Sequence, residues 1–579
     1  MAERKPLYTE VRWDLFRTLG GVRFAVKWKF YFPFHPVSGR FNFLNQEFLS
    51  IMMKYLFLLL SAVFAADLAA GTGISGENAA SVSSGPALRS PGSREENLAL
   101  FMAALLEKNT EKQCLKLLEV IEKDPANAET PFAAFYASFR KLKKTSAVVE
   151  KLNAVWKKYP QDRLITLYAA VINRYSGTPA AVRMKQLEPI LSIPPQKLCA
   201  DRKWQMEDTA SLLSSASEIF IQTARFQKLV SLAESWSRTP DQHRLAAFLT
   251  LGGPCYTAAL KAYCSGDRKT GAALEKWFFT AVDGIKALEG TLSNNKSYWS
   301  VLYFYSQYRK LLKDEPLRFA QYVYDRTRSN SANIWLLSTA VDNGSVELFD
   351  QAAARIFEYN PRFNAGELRI KTLLNGKNFE QAEKEIRRLP ENKQFDFTLQ
   401  LLVNKNEWRR LYALIDGRLN QGTPPDVQIG YLLLLASEKL SDPAVYRRAK
   451  KILEPHLKTP SVANSVGYIG AVLETDLEDC RKYLRDALRK EPKNYAYLDS
   501  MAWISFKQKR YAEAEKWISK ALASVNTFDG VAVLLEHAGD IAAARGQDPR
   551  VWYQLSLKYA PFDDDFSKEA VLKKMKALQ

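Results

Sequence analysis

The chain has 579 residues, 47% hydrophobic and 25% charged, with 82 Lys and Arg against 63 Asp and Glu for a net charge of +19. That length exceeds one ordinary core and that balance excludes extensive disorder, so three or four domains or one elongated array are expected. With 26 Gly and 25 Pro the turn-formers are too few for a many-stranded β protein, and five scattered cysteines make no disulfide framework. The positive balance has two readings: attraction to an anionic partner such as nucleic acid, acidic glycan or lipid headgroups, or Lys and Arg solvating many helix faces. Their interleaving with Glu and Asp favours the second. Cys255 and Cys264 are the only near pair, and on one straight helix they would point about 180° apart, so a bridge would need a turn between them.

Residues 1–51 are rich in Phe, Trp and Arg and show no steady periodicity. Residues 52–66 read as a signal peptide: Lys54 is a short basic start, a run of apolar residues follows, and Val63-Phe64-Ala65 offers small residues at a cleavage site. The run is too short to span a bilayer comfortably. Because such a signal sits at an N-terminus, translation is expected to start at Met52 or Met53, with residues 1–51 an artefact of gene-start choice. The alternative is a real, disordered extension before an uncleaved anchor. Removing residues 1–51 takes away 8 basic and 4 acidic residues, so +19 becomes +15 and the basic character stays. No Cys lies just after the apolar run to carry a lipid, so a soluble exported protein is expected. Residues 67–94, rich in Gly, Ser and Ala, read as a flexible linker.

From about residue 95 the pattern is helix after helix. Leu98, Leu100, Phe101, Leu105 and Leu106 fall on one apolar stripe, and 145–158, 268–290, 297–313 and 434–453 behave similarly. Proline reveals a period. Pro125, Pro160 and Pro194 stand 35 and 34 residues apart, and Pro492 and Pro561 stand 69 apart, close to twice that. Proline does not continue a helix, so each marks the end of a helix pair.

The clearest unit is 495–528. Ala502, Ala514 and Ala521 are small where two helices would approach closely, and Leu498, Met501, Tyr511 and Ile518 fill the remaining space. With these residues the unit resembles a tetratricopeptide (TPR) repeat. The preceding unit ends in the same register with Cys480, Leu484, Ala487 and Pro492, so Cys480 reads as a packed thiol. A further unit runs from Leu534 through Gly539, at the small position of its first helix, to Tyr559. The two segments Leu498–Trp503 and Leu535–Asp540 look like the C-terminal pair of many exported bacterial TPR proteins. Ser505 departs from the pattern where an aromatic is usual, and Asn526 where Pro is usual. Asn378–Glu383 and the stretch ending at Pro361 look like parts of earlier units. The resemblance implies an all-α, TPR-like helix-hairpin superhelix: divergent helical repeats over 95–340, degenerate TPR-like repeats over 341–460, and C-terminal TPR repeats over 461–579. Between 200 and 340 no register is found. The resemblance also implies export to the periplasm or cell surface of a Gram-negative-type bacterium.

Motifs for chemistry are missing. There is no His-Glu-x-x-His, Cys-x-x-Cys, Gly-x-Ser-x-Gly or phosphate-binding Gly-x-x-x-x-Gly-Lys-Ser/Thr sequence, so no metal or cofactor is expected. Asp563-Asp564-Asp565 reads as a solvated cap, since calcium-loop spacing is absent. The histidines are His35, His243, His456 and His537. His537, flanked by Glu536 and Asp540, reads either as an acid/base or metal group or, as favoured here, as a residue hydrogen-bonded within the repeat stack. In TPR-like arrays the first helix of each hairpin lines a groove. By that resemblance Asp499, Trp503, Phe506 and Lys507 are the candidate partner-binding residues, although Trp503 and Phe506 also suit packing between helices. Three functions stay open: a non-enzymatic exported scaffold binding a protein or peptide in a cell-envelope assembly, a basic repeat protein binding an anionic or carbohydrate polymer, and an enzyme fold hidden in 200–340. No specific nucleic-acid recognition and no integral membrane span after signal cleavage are expected.

Overall fold

A computed structural model describes residues 8–19, 22–33, 94–142, 145–201, 203–292, 295–422, 424–563 and 566–578. The signal peptide expected at 52–66 and the linker over 67–93 lie outside the described residues. The segment expected to lack periodicity contains a hairpin. Strand β1 (Tyr8–Leu19) pairs antiparallel with β2 (Val22–Pro33), with Trp13 opposite Trp28 and Leu15 opposite Val26. The signal was there: Val22, Phe24, Val26, Trp28, Phe30 and Phe32 alternate at the period of a strand, and Gly20-Gly21 stands between the strands in sequence.

Every described element after the hairpin is helical. Contacts group the chain into two units, one of Met1–Leu49 and Gly366–Ala487, the other of Ser50–Ala365 and Leu488–Gln579. The second unit opens with the consecutive pairs α1 (Arg94–Leu105) and α2 (Thr110–Lys123), α3 (Glu129–Phe139) and α4 (Ser146–Lys158), and α5 (Arg163–Asn173) and α6 (Ala180–Leu191). After the single turn α7 (Pro195–Cys199) come α8 (Met206–Gln222) and α9 (Phe226–Trp236), then the long pair α10 (Asp241–Cys264) and α11 (Arg268–Leu288). Helix α12 (Asn295–Gln307), the short α13 (Arg309–Leu312), α14 (Glu315–Thr327), α15 (Asn330–Asn343) and α16 (Val346–Tyr359) complete its first part. The first unit holds α17 (Gly366–Asn375) with α18 (Phe379–Ile386), α19 (Glu391–Asn404) with α20 (Trp408–Asn420), α21 (Val427–Leu440) with α22 (Pro443–Leu453), and α23 (Pro460–Val472) with α24 (Leu477–Lys490). The second unit resumes with α25 (Tyr495–Lys507) and α26 (Tyr511–Ser524), α27 (Val531–Ala544) and α28 (Arg550–Tyr559), and the unpaired α29 (Lys568–Lys576).

Most first helices start 33 to 36 residues after the one before, as at Arg94 and Glu129 or Val427 and Pro460. Pro125, Pro160 and Pro194 follow α2, α4 and α6, where a helix pair ends. The missing register over 200–340 has a physical cause. Helix α7 pushes Met206 to 43 residues after Arg163, and α10 and α11, at 24 and 21 residues, push Asn295 to 54 after Asp241. Helices follow one another through the described residues of this stretch, and among them no separate fold of the kind held open for 200–340 is found.

Burial explains the pairing. In the second unit Leu117, Leu118, Phe132, Phe135, Leu152 and Ile172 share one core cluster. In the first unit Leu402, Leu411, Leu433, Tyr446, Leu453 and Val466 share another. Glycine appears where helices touch: a Cβ on Gly252 of α10 would stand 2.7 Å from the Phe304 ring. One expectation is corrected in part. Of the stripe read near α1, Phe101 packs on the core beside buried Asn97 and Ala104, but Leu98 and Leu105 are 59% and 40% exposed, and Leu106, just beyond the helix, is 76% exposed. The two faces lie about 100° apart on the helix, and the apolar pattern alone does not choose between them.

Within the second unit the C-terminal repeats pack on the long hairpin. Tyr256 of α10, fully buried, has its ring centroid 5.1 Å from Phe528, 5.9 Å from Tyr559 and 6.0 Å from Phe562. Lys558 of α28 pairs with Glu275 of α11, and its ammonium donates to the Tyr263 hydroxyl at 3.1 Å. Lys310 donates to the Phe562 carbonyl at 3.2 Å. The five cysteines are free; Cys255 and Cys264 both lie on α10, with no turn between them to allow a bridge, and Cys480 is buried.

Candidate partner-binding site

The site stands on α25. Asn494 caps this helix, its side chain accepting from the Ala496 and Tyr497 amides at 3.1 and 3.4 Å. The helix ends in a tight turn with Lys509 at φ +60, where the Arg510 amide donates to the Ser505 carbonyl at 2.9 Å. Ala502, Ala514 and Ala521 are fully buried, which lets α25 and α26 approach closely. Gly539 does the same between α27 and α28: a Cβ there would meet the Tyr553 ring at 2.6 Å from Cδ1.

On one face of α25, Asp499, Trp503, Phe506 and Lys507 follow at helical spacing, and α27 brings His537 against them. His537 is buried, and its Nδ1–H donates to the two Asp499 carboxylate oxygens at 3.0 and 3.1 Å. A carboxylate only accepts, so this pairing fixes the proton on Nδ1. The imidazole lies parallel to the Trp503 ring, centroids 4.0 Å apart at 14°, and Trp503 stacks on Phe506 at 4.8 Å and 8°. The Lys507 ammonium sits 5.1 Å from the Trp503 centroid. All four sequence-chosen residues are thus brought together, and His537 joins them. Much of their chemistry is already used: Asp499 is buried against His537, and His537 and Phe506 are both stacked on Trp503. Trp503, Phe506 and Lys507 keep partly exposed surface. The Trp503 indole N–H is buried without a hydrogen-bond acceptor. The role of His537 as an inter-repeat rivet follows the reading favoured from sequence, but its partnership with Asp499 was missed. Its signal is the 38-residue separation, about one repeat.

A second buried polar cluster lies nearer the N-terminus of this unit. Asp208, in the first turn of α8, accepts from the Gln205 amide at 2.9 Å and the Tyr168 hydroxyl at 3.1 Å. Burial raises its carboxyl to about 6, against those two hydrogen bonds. Beside it, Trp204 donates to the Thr209 hydroxyl at 2.9 Å, and Thr209 lies 2.8 Å from His243 Nδ1, whose pKa burial lowers. Among the described residues no group of three His, Cys, Asp or Glu is placed to hold a metal. A cavity of about 160 Å³ is bordered by Ile190, Pro194, Leu198, Leu212, Leu232 and Trp236 together with Ser192 and Ser235, a mixed polar and apolar lining. No helix among the described residues is long and apolar enough to cross a membrane.

These hairpins, their small-residue contacts and their spacing are those of a TPR-like helical-repeat protein, a fold typical of protein-interaction scaffolds. No protein-family model matches the chain. A TPR repeat-containing protein of Pseudomonas aeruginosa is 27% identical over 139 residues, which are 23% of this chain and 23% of that protein. Two solved structures align at low scores. The Cut9–Hcn1 hetero-tetramer of the APC/C covers 83% of this chain and 96% of its own at 11% identity and a TM-score of 0.28. Yeast Tom70 covers 83% and 95% at 12% identity and a TM-score of 0.29. Scores this low leave the fold to be argued from the hairpins themselves.

Proposed function

We propose that this chain is an exported, non-enzymatic scaffold that binds a protein or peptide partner through the first-helix surface of its C-terminal repeats, within a cell-envelope assembly. The observation that supports it most is the partly exposed Trp503–Phe506–Lys507 cluster, held rigid by the Asp499–His537 pair. A preorganised aromatic and cationic surface binds at low entropic cost, and aromatic residues dominate binding energy where they are central to an interface. The match to a TPR repeat-containing protein of a bacterium agrees with this reading. Export, to the periplasm or cell surface, rests on the pattern of residues 52–66.

The test is affinity capture of the protein expressed from its own gene with a C-terminal tag. Comparison of wild type with Phe506→Ala/Lys507→Glu should show specific envelope components lost from the variant alone. An unchanged set of captured proteins would refute the site. The N-terminal residue of the exported protein tests the start near Met52, and an intact residue 1 would defeat it. Polymer binding through net charge, the alternative reading of the +19, weakens steeply with ionic strength, whereas capture through aromatics does not.

A further inference from the structure

The second helices of the first unit lie side by side, tied across their seams by acid–base pairs. Arg448 of α22 pairs with Asp416 of α20, and Lys450 of α22 pairs with Asp476 and Asp479 at 2.8 and 3.0 Å. Those acids are consumed in the seams. On α22, Ala449 is buried, and at about 100° per residue its opposite side is the arc between Arg447 and Lys451. On α20, Arg409 stands about 160° from buried Leu411, and on α24 Lys482 and Arg485 stand about 200° and 140° from buried Cys480. All five are exposed, and none has an acidic or hydrogen-bonding partner among the described residues. Glu478 and Asp486, the acids nearby on α24, already have partners.

We propose that this outer face of α20, α22 and α24 binds a linear polyanion that carries its charge along the chain, an acidic polysaccharide. Packed helices stand about 8–10 Å apart, so cations on successive second helices recur at intervals that a charged sugar chain can follow. Arginine presents a planar fork to carboxylate or sulfate. Between the cations of α20 and α22 the exposed positions include Ala413, Gly417 and Ala444, small enough for a chain to lie close, while Arg410, Arg489 and Lys490 add positive charge on the same helices and Glu478, Asp479 and Asp486 are the exposed acids. The same composition argues against the other anionic partners. The aromatics of these helices, Trp408, Tyr412 and Tyr483, are partly buried against the core, and no fully exposed aromatic or large apolar side chain stands on the described stripe for stacking bases or entering a bilayer. This surface is on different helices from the Trp503 cluster, so either can fail without the other.

The experiment is fluorescence anisotropy of the full chain with a labelled heparin dodecasaccharide between 50 and 200 mM NaCl. Five contacts at about 0.7 each give a log–log salt slope near −3.5, or roughly 100-fold weaker binding across that range. Arg409→Glu/Arg447→Glu/Lys451→Glu should weaken binding at 50 mM at least tenfold and make the slope shallower by about 2. The control Lys157→Glu/Lys197→Glu/Lys228→Glu makes the same charge change on exposed helix faces elsewhere. It should retain most of the affinity. Both variants keep the wild-type helical signal if their exposed sites tolerate the change, which circular dichroism checks. Equal losses in the two variants would show a general charge effect and overturn the proposal. So would tighter binding to a dT20 oligonucleotide, or to phosphatidylglycerol vesicles, than to the saccharide.

Discussion

Tyr256→Ala should loosen a part of the chain about 300 residues away. Tyr256 is 1% exposed and lies between the long hairpin and Phe528, Tyr559 and Phe562. Truncating a buried aromatic to alanine costs about 3–5 kcal/mol, and each well-placed aromatic pair contributes about 0.5–1.5 kcal/mol beyond its buried area. A repeat array need not unfold in one step, so a global melting curve is a poor readout. Amide hydrogen exchange followed by mass spectrometry reads the segments separately. Wild type should protect α28 and the turn at Phe562 along with α10 and α11. In Tyr256→Ala, exchange in 550–562 should rise about 100-fold, the equivalent of the lower figure at about 1.4 kcal/mol per decade. A double-mutant cycle with Phe562→Ala should give a coupling of about 0.5–1.5 kcal/mol. Exchange that rises only around residue 256, with coupling within about 0.3 kcal/mol of zero, would refute the docking of the C-terminal repeats on the long hairpin.

Other expectations follow from single contacts. Asp208 holds its proton more tightly folded than unfolded, since its carboxyl is raised to about 6 from 3.8. Its contribution is therefore most favourable below about pH 4 and is lost as pH rises to 6, by up to about 3 kcal/mol. His243, with its pKa lowered, acts oppositely below about pH 6.5, so the clean measurement is the difference between wild type and Asp208→Asn across pH 4–7 in urea unfolding. A difference that does not vary with pH would contradict the buried placement of Asp208. Gly539→Ala should cost about 1–3 kcal/mol by overpacking on Tyr553, and Tyr553→Leu should restore part of it; no loss in the single variant would mean the helices can separate cheaply. Asp499→Ala removes the carboxylate that accepts from the buried His537 Nδ1–H and should cost about 1–3 kcal/mol, whereas Lys507→Glu should leave stability within about 0.5 kcal/mol.

The C-terminal repeats were legible because their contacts demand small residues at fixed spacing. Ala502, Ala514, Ala521 and Gly539 could be placed from sequence, and all four sit at buried helix contacts. The candidate site was legible in its membership but not in its economy. Sequence places Asp499, Trp503, Phe506 and Lys507 on one face, yet nothing local tells that His537 arrives from the next repeat to occupy Asp499 and stack on Trp503. The long pair α10 and α11 hid the period because helix length is set by what the pair must cover, and that cover lies at Phe528 to Phe562, far along the chain. On α1 the apolar pattern was wide enough to fit two faces, and tertiary contact kept Phe101 with Asn97 and Ala104 and left Leu98 and Leu105 outside. At β1 and β2 the alternation was present and overlooked, a mistake of period and not a limit of the sequence.

The docking of Phe528, Tyr559 and Phe562 on Tyr256 also sets a timetable. Leu288, the end of α11, precedes Phe528 by 240 residues, so the hairpin leaves the ribosome long before its cover. At about 5–20 residues per second that wait is roughly 10–50 s. During it the face of Tyr256 that Phe528, Tyr559 and Phe562 later cover is bare wherever the hairpin has already folded. A chain held before Phe528, on the ribosome or in transit across a membrane, therefore exposes an apolar face that arrival of the last fifty residues closes.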